Sequence, residues 1–76
     1  MRYTVLVSNK MKIIPIQEIG GEYLLPGDRL LVPKEKAHTL METYAPRLIT
    51  AEEIEIEEEF DFRFERNLPS LSTAKS

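Results

Sequence analysis

Between Glu52 and Arg66 the chain reads EEIEIEEEFDFRFER, and each of its aliphatic and aromatic residues, Ile54, Ile56, Phe60, Phe62 and Phe64, falls at an even position. At the roughly 100° per residue of a helix these side chains scatter around the axis, whereas at about 180° per residue they share one face. Glu53, Glu55, Glu57, Glu59, Asp61 and Glu65 take the opposite face together with Arg63, and Glu58 alone breaks the alternation. The pattern predicts a long two-faced strand over about residues 54–64, not a helix or a solvated acidic tail. Just before it, TAEE (Thr50 to Glu53) matches a helix capping box and predicts a single helical turn leading into the strand.

At roughly 3.3 Å per residue such a strand would be about 35 Å long, more than a small domain can cover. Glu58 is therefore expected where the strand bends, bulges or changes partner, because an unpaired buried carboxylate is costly. Two outcomes stay open for the phenylalanines. Their half of the strand can leave the domain and add to a neighbour's sheet, or it can stay as an edge strand with the rings in the chain's own core.

Size sharpens that choice. A chain of 76 residues sits near the lower limit for a self-sufficient core, and it has no cysteine for disulfides or thiolate metal sites. Docking or oligomerisation is the expected extra source of stability. The hydrophobic content of 42% is that of a folded protein. No apolar run approaches the ~18 residues that span a bilayer and no signal pattern opens the sequence, so the expectation is a soluble, intracellular protein with no membrane partner.

The net charge of −3 is unevenly spread. Residues 1–50 carry seven Lys/Arg against five Asp/Glu, residues 51–66 carry eight acids against two Arg, and Lys75 lies near the end. That asymmetry suggests a charged face or an interaction arm. The basic footprint of a nucleic-acid binder is missing, and no direct nucleic-acid binding is expected.

The rest of the chain reads as short strands around one helix. RYTVLVS is β-branched and aromatic, with Tyr3, Val5 and Val7 on one side of the pleat and Thr4 and Leu6 on the other. MKIIPI suits a short strand at an edge, since Pro15 cannot donate to a ladder. EYLL and RLLV flank a tight turn at Pro26-Gly27. In PKEKAHTLMETYAP, Ala37, Leu40, Met41 and Tyr44 form a single apolar stripe, with Pro33 suited to the first helical position and Pro46 ending the run. RLIT reads as a return strand. The fold class is α+β: a small, mostly antiparallel β domain with one helix at about 34–44 and a long C-terminal strand at about 54–64. Residues 1–50 form a compact module, 51–66 the acidic strand and 67–76 a polar tail.

Nothing in the chain specifies a reaction. His38 is the only histidine and lies beside the helix stripe, the glycines lack a phosphate-cradling pattern, and alternate glutamates on a strand diverge rather than converge on one ion. No catalytic, metal-binding or cofactor residue is expected, and the chain is not expected to be an enzyme.

The segment GGEYLLPGDRLLVPKEKAHTLMETYAPRLI (Gly20 to Ile49) resembles small tailed-phage proteins of the head and head–tail region. In these, a glycine and an aromatic precede a PGD turn, a short strand, a helix with alanine and leucine spaced three apart, and a hydrophobic exit. Here those positions are Gly21, Tyr23, Pro26-Gly27-Asp28, Leu30 to Val32, Ala37 with Leu40, and Leu48-Ile49. The helix exit METYAPR departs from the family's short glycine exit, and the acidic stretch lies outside the pattern. The resemblance implies a minor capsid, decoration or head–tail joining component, present in many copies in the virion and in the host cytoplasm before assembly. Its expected contacts are Ile54, Ile56, Phe60, Phe62, Phe64, Leu68 and Leu71, on other virion proteins or on further copies of itself. A second reading is an acidic inhibitor of a host DNA-binding protein. In it, the row Glu53, Glu55, Glu57, Glu59 and Asp61 mimics nucleic acid with charges about 6.6–6.8 Å apart.

Overall fold

The computed structural model describes residues 1–66, so Leu68 and Leu71 lie outside the described residues. The fold is α+β, and all its strand pairs are antiparallel. β1 (Arg2–Ser8) lies inside a four-stranded sheet with β5 (Leu48–Glu55) on one side and β4 (Arg29–Pro33) on the other. β6 (Arg63–Glu65) closes the far edge of β4. A separate hairpin of β2 (Ile14–Ile16) and β3 (Glu22–Leu24) follows β1.

Helix α1 (Lys34–Tyr44) buries Ala37, Leu40 and Tyr44, with Met41 partly covered, and so uses the stripe that the sequence predicts. Pro33 is the last residue of β4 and the helix N-cap, one position before the first helical residue. The stripe packs on Leu6, Leu30, Val32 and Leu48 from the sheet and on Ile14, Ile16 and Leu24 from the hairpin. At about 1.5–3 kcal/mol for each fully buried aliphatic side chain, this cluster is the main source of stability.

The other face of the sheet is buried too. Tyr3, Val5 and Leu31 are fully covered although they point away from the helix. Arg29, on the same face as Leu31, reaches across β1 to Glu52 on β5, and its Nε lies 3.3 Å from Glu65 Oε1 on β6. That Nε contact lacks hydrogen-bond alignment, so the aliphatic stem laid over the sheet is the firmer contribution. Phe60 stacks on Tyr3 with ring centroids 4.3 Å apart.

The predicted strand over 54–64 is two strands on opposite edges of the sheet. β5 ends at Glu55, which pairs with Arg2 at the start of β1; beyond it Ile56 bonds back to Met1, its N–H donating to the Met1 carbonyl at 2.9 Å and its carbonyl accepting from the Met1 ammonium at 2.8 Å. Residues 56–62 then cross the end of β1 and β4 and enter the free edge of β4 as β6, where Phe64 pairs with Leu30. The change of partner expected at Glu58 is realised, since Glu58 lies at the bend where this crossing turns. Residues 51–66 therefore complete the sheet of residues 1–50.

The helical turn expected at Thr50 to Glu53 is also replaced by strand. These residues lie within β5, and a bulge leaves Ala51 unopposed between the pairs Leu6–Thr50 and Val5–Glu52. Pairing with β1 supplies the backbone partners that a capping box would otherwise provide, so the sheet overrides the local signal.

Candidate functional site

The crossing decides where the expected contact residues go. Ile54 pairs with Tyr3 and shares its face, away from the helix, and Phe60 covers Tyr3 from the same side. Phe64 pairs with Leu30 and packs against the helix-side core. Phe62 meets Phe64 edge-on at 6.0 Å, with the Lys36 ammonium 5.7 Å from its ring centre. One even-numbered set is thus divided between two faces. Ile56 is half-buried beside Met1. The alternative with rings in the chain's own core describes Phe60 and Phe64, and Phe62 alone among the three is counted as exposed.

The crossing is tied down through one hydroxyl. Tyr3 Oη accepts the Phe60 N–H at 2.9 Å and lies 3.1 Å from the Glu58 carbonyl, to which it can donate. Arg63 sits 4.8 Å over the Phe60 ring and 3.5 Å from Glu58.

The acidic row is interrupted in the same way. Glu53 and Glu55 occupy β5 opposite Thr4 and Arg2, each with a carboxylate oxygen 3.8 Å from the Arg2 guanidinium. Glu57, Glu59 and Asp61 lie in the crossing, outside strand geometry, and form no ion pair among the described residues. Strand spacing of the charges ends at Glu55. His38 is exposed, with its Nε2 3.1 Å from Glu42 Oε2.

The surface with the clearest functional character is one the sequence reading passed over: the outer face of the β2–β3 hairpin. Ile14, Ile16 and Leu24 point into the core, which turns Pro15 and Tyr23 outward as a cross-strand pair. Ile13 precedes them on the same side. It is 60% exposed and Tyr23 is 53% exposed, where a solvated hairpin would carry polar residues. Ile13, Tyr23 and Leu25 line an open groove of about 550 Å³, with Glu22 and Arg66 at its rim. A signal was present in MKIIPI, where apolar residues occupy even and odd positions alike. A strand with one buried face needs only half of them.

Three local features hold this face. Gly20, at φ +78°, ends the short 3-10 turn Gln17–Ile19 and donates its N–H to the Gln17 carbonyl at 3.1 Å. The turn after β3 closes through Asp28 N–H to the Leu25 carbonyl at 3.0 Å, with Gly27 at φ +87° where an L side chain would be strained. The buried Asp28 carboxylate accepts the Leu25 N–H at 3.1 Å and is ion-paired with Arg66. Arg66 also donates to the Tyr23 carbonyl at 3.1 Å, lies 3.4 Å from Glu22 and stacks 3.9 Å over Phe64. It clamps the end of β6 to the hairpin.

Beside the groove, Lys10 and Met11 both adopt left-handed backbone, at φ +66° and +57°. Two successive non-glycine residues there cost on the order of 1 kcal/mol each. The strain is held by Ser8, whose Oγ accepts the Lys12 N–H, and by Asn9, bonded to Arg47 and Pro46. Met11 is left 63% exposed next to Ile13.

Among the described residues there is no group of three or more metal-ligating side chains, and no helix is long and apolar enough to cross a membrane. Comparisons with protein-family models, curated proteins and solved structures find no match to this chain.

Proposed function

We propose that this chain is a non-enzymatic structural protein of a tailed-phage particle, a minor capsid, decoration or head–tail joining component. It docks on neighbouring subunits through the outer face of the β2–β3 hairpin. The observation that carries the docking reading is the apolar outer face itself: Ile13 and Tyr23 stand in solvent on a hairpin whose inner face already satisfies the core. The resemblance over residues 20–49 supports the phage assignment. Its strand, PGD turn, strand and helix occur in the expected order as β3, the Leu25–Asp28 turn, β4 and α1. Many copies in a symmetric assembly would offset the small core of one copy by mass action.

The docking surface in this reading is the hairpin and not a projecting phenylalanine strand, because β6 is spent on the chain's own sheet. Nucleic-acid mimicry needs a longer row of evenly spaced charges than Glu53 and Glu55 provide.

The test is incorporation. Genes for capsid and portal beside this one, together with the chain in purified particles by mass spectrometry, agree with the proposal. The double variant Ile13→Ser/Tyr23→Ser should remain folded and be lost from particles. A chain absent from particles overturns the phage assignment, and a double variant incorporated as well as the parent overturns the choice of surface.

A further inference from the structure

We infer that two copies of this chain pair edge to edge through β5, antiparallel about a two-fold axis, and so join their sheets into one. β5 is an outermost strand, and among the described residues no strand covers its second edge. The direction of its backbone groups follows from its two ends. Ile56 exchanges both hydrogen bonds with Met1, so its N–H and C=O face β1. The Arg47 carbonyl accepts the Asn9 N–H and faces the same way. Backbone groups alternate along a strand, which turns Ile49, Glu52 and Ile54 towards β1 and Thr50, Glu53 and Glu55 outward. The two counts meet at the bulge, where Ala51 is the unopposed residue. Leu48 also turns outward but is fully buried, so the free edge runs from Ile49 to Glu55.

The strand is complementary to a second copy of itself. Its first half, LITA, is uncharged, and its second half, EEIE, carries three acids. An antiparallel two-fold lays each acidic half on the uncharged half of the other copy. With Ala51 opposite the second copy's Glu52, Thr50 falls opposite Glu53 and Ile49 opposite Ile54. Thr50 and Glu53 then form the hydrogen-bonded pairs, on the helix side of the sheet. Ile49 and Ile54 meet on the other face as non-hydrogen-bonded pairs, whose side chains lie closest. Ile49, 41% exposed in the single chain, gains an apolar neighbour. The two bulges meet at the centre, two residues against two, where a regular strand would fall out of step. Shifting the register by two residues sets an outward backbone group against an inward one at the bulge. Acids and bulges commonly guard an edge against indiscriminate pairing; here they admit one register. Glu52 and Glu53 keep Arg29 and Arg2 as partners, which lowers the repulsion between copies. This edge is distinct from the outer face of the β2–β3 hairpin.

The experiment is sedimentation of the full chain in low-salt buffer, from micromolar to millimolar concentration, with circular dichroism to confirm that each variant is folded. The mass should rise from 8.8 kDa towards twice that value and no further, since a two-fold pairing closes on itself. Thr50→Glu sets an acid opposite the second copy's Glu53, and Thr50→Lys sets a cation there, each twice by symmetry. At typical cross-strand pair energies the dissociation constant should rise roughly 2- to 30-fold for the first and fall by a similar factor for the second. Ile13→Ser/Tyr23→Ser should dimerise as the parent does. The register is read by mixing an Ile49→Cys chain with an Ile54→Cys chain and oxidising, in a protein with no cysteine of its own. The mixed disulfide should outweigh both like-with-like disulfides. A chain that stays monomeric at millimolar concentration overturns the inference, as do Thr50 variants that dimerise alike or a disulfide joining two Ile49→Cys chains. A dimer lost in Ile13→Ser/Tyr23→Ser would mean that the hairpin faces associate instead, and overturns it too.

Discussion

Replacing Tyr3 by Phe removes a single oxygen and tests whether residues 56–62 belong to the domain. The Tyr3 ring is fully buried, and its hydroxyl accepts the Phe60 N–H at 2.9 Å and faces the Glu58 carbonyl at 3.1 Å. The variant keeps the ring and its 4.3 Å stack on Phe60, so hydrophobic burial is nearly unchanged. The loss is two hydrogen bonds, each worth about 1 kcal/mol net. The surroundings are part-buried, so water recovers some of the loss at the freed Phe60 amide and Glu58 carbonyl. The expected cost is about 1–2 kcal/mol, and for a domain of this size each kcal/mol lowers Tm by roughly 4–8 °C. Urea and thermal unfolding followed by circular dichroism measure it. Hydrogen exchange should place the fastest new opening at the Phe60 amide. A change below about 0.3 kcal/mol, with Phe60 exchange unaltered, would refute the claim that this hydroxyl anchors the crossing.

Three further outcomes follow from the same contacts. Phe60→Ser/Phe62→Ser/Phe64→Ser should unfold the chain and not merely block association, because Phe60 covers Tyr3 and Phe64 packs on the core; a cooperatively folded triple variant by circular dichroism would contradict this. Leu30→Ala, at the centre of the sheet and fully buried, should cost about 2–5 kcal/mol in urea unfolding, and a loss under 1 kcal/mol would mean that the core is misplaced. Met11→Gly relieves one left-handed residue at the expense of unfolded-state entropy, so stability should rise by roughly 0–1 kcal/mol; a clear fall in Tm would show that the Met11 side chain contributes to the fold.

The parts legible in the sequence were those governed by near neighbours. The helix at 34–44 follows from the spacing of Ala37, Leu40, Met41 and Tyr44 between two prolines, and the turn at Pro26-Gly27 from backbone chemistry alone. The acidic stretch was different. Period-two alternation reports that residues are extended, but not that they form one strand, and Ile54 and Phe64 keep the same parity on opposite faces of the sheet. What divides them is the length of β1, which leaves β5 without a strand partner past Glu55, and the free edge of β4, which accepts Arg63 to Glu65. Both are tertiary facts. The capping-box signal at Thr50 failed for a similar reason, since pairing with β1 outweighs a local preference. The hairpin face was overlooked because each of its residues is ordinary. Only the pairing of Pro15 with Tyr23, with Ile14, Ile16 and Leu24 turned inward, shows that the outer side is apolar as well.

The central claim is that the acidic segment closes the chain's own sheet and leaves the hairpin as the open surface. Nuclear Overhauser contacts in the isolated monomer test it most directly. The account predicts contacts between Phe64 and Leu30 and between Phe60 and Tyr3, with the Ile56 amide protected from exchange. Random-coil shifts over residues 56–66, with β1 and α1 still folded, would contradict it and restore the segment as an arm.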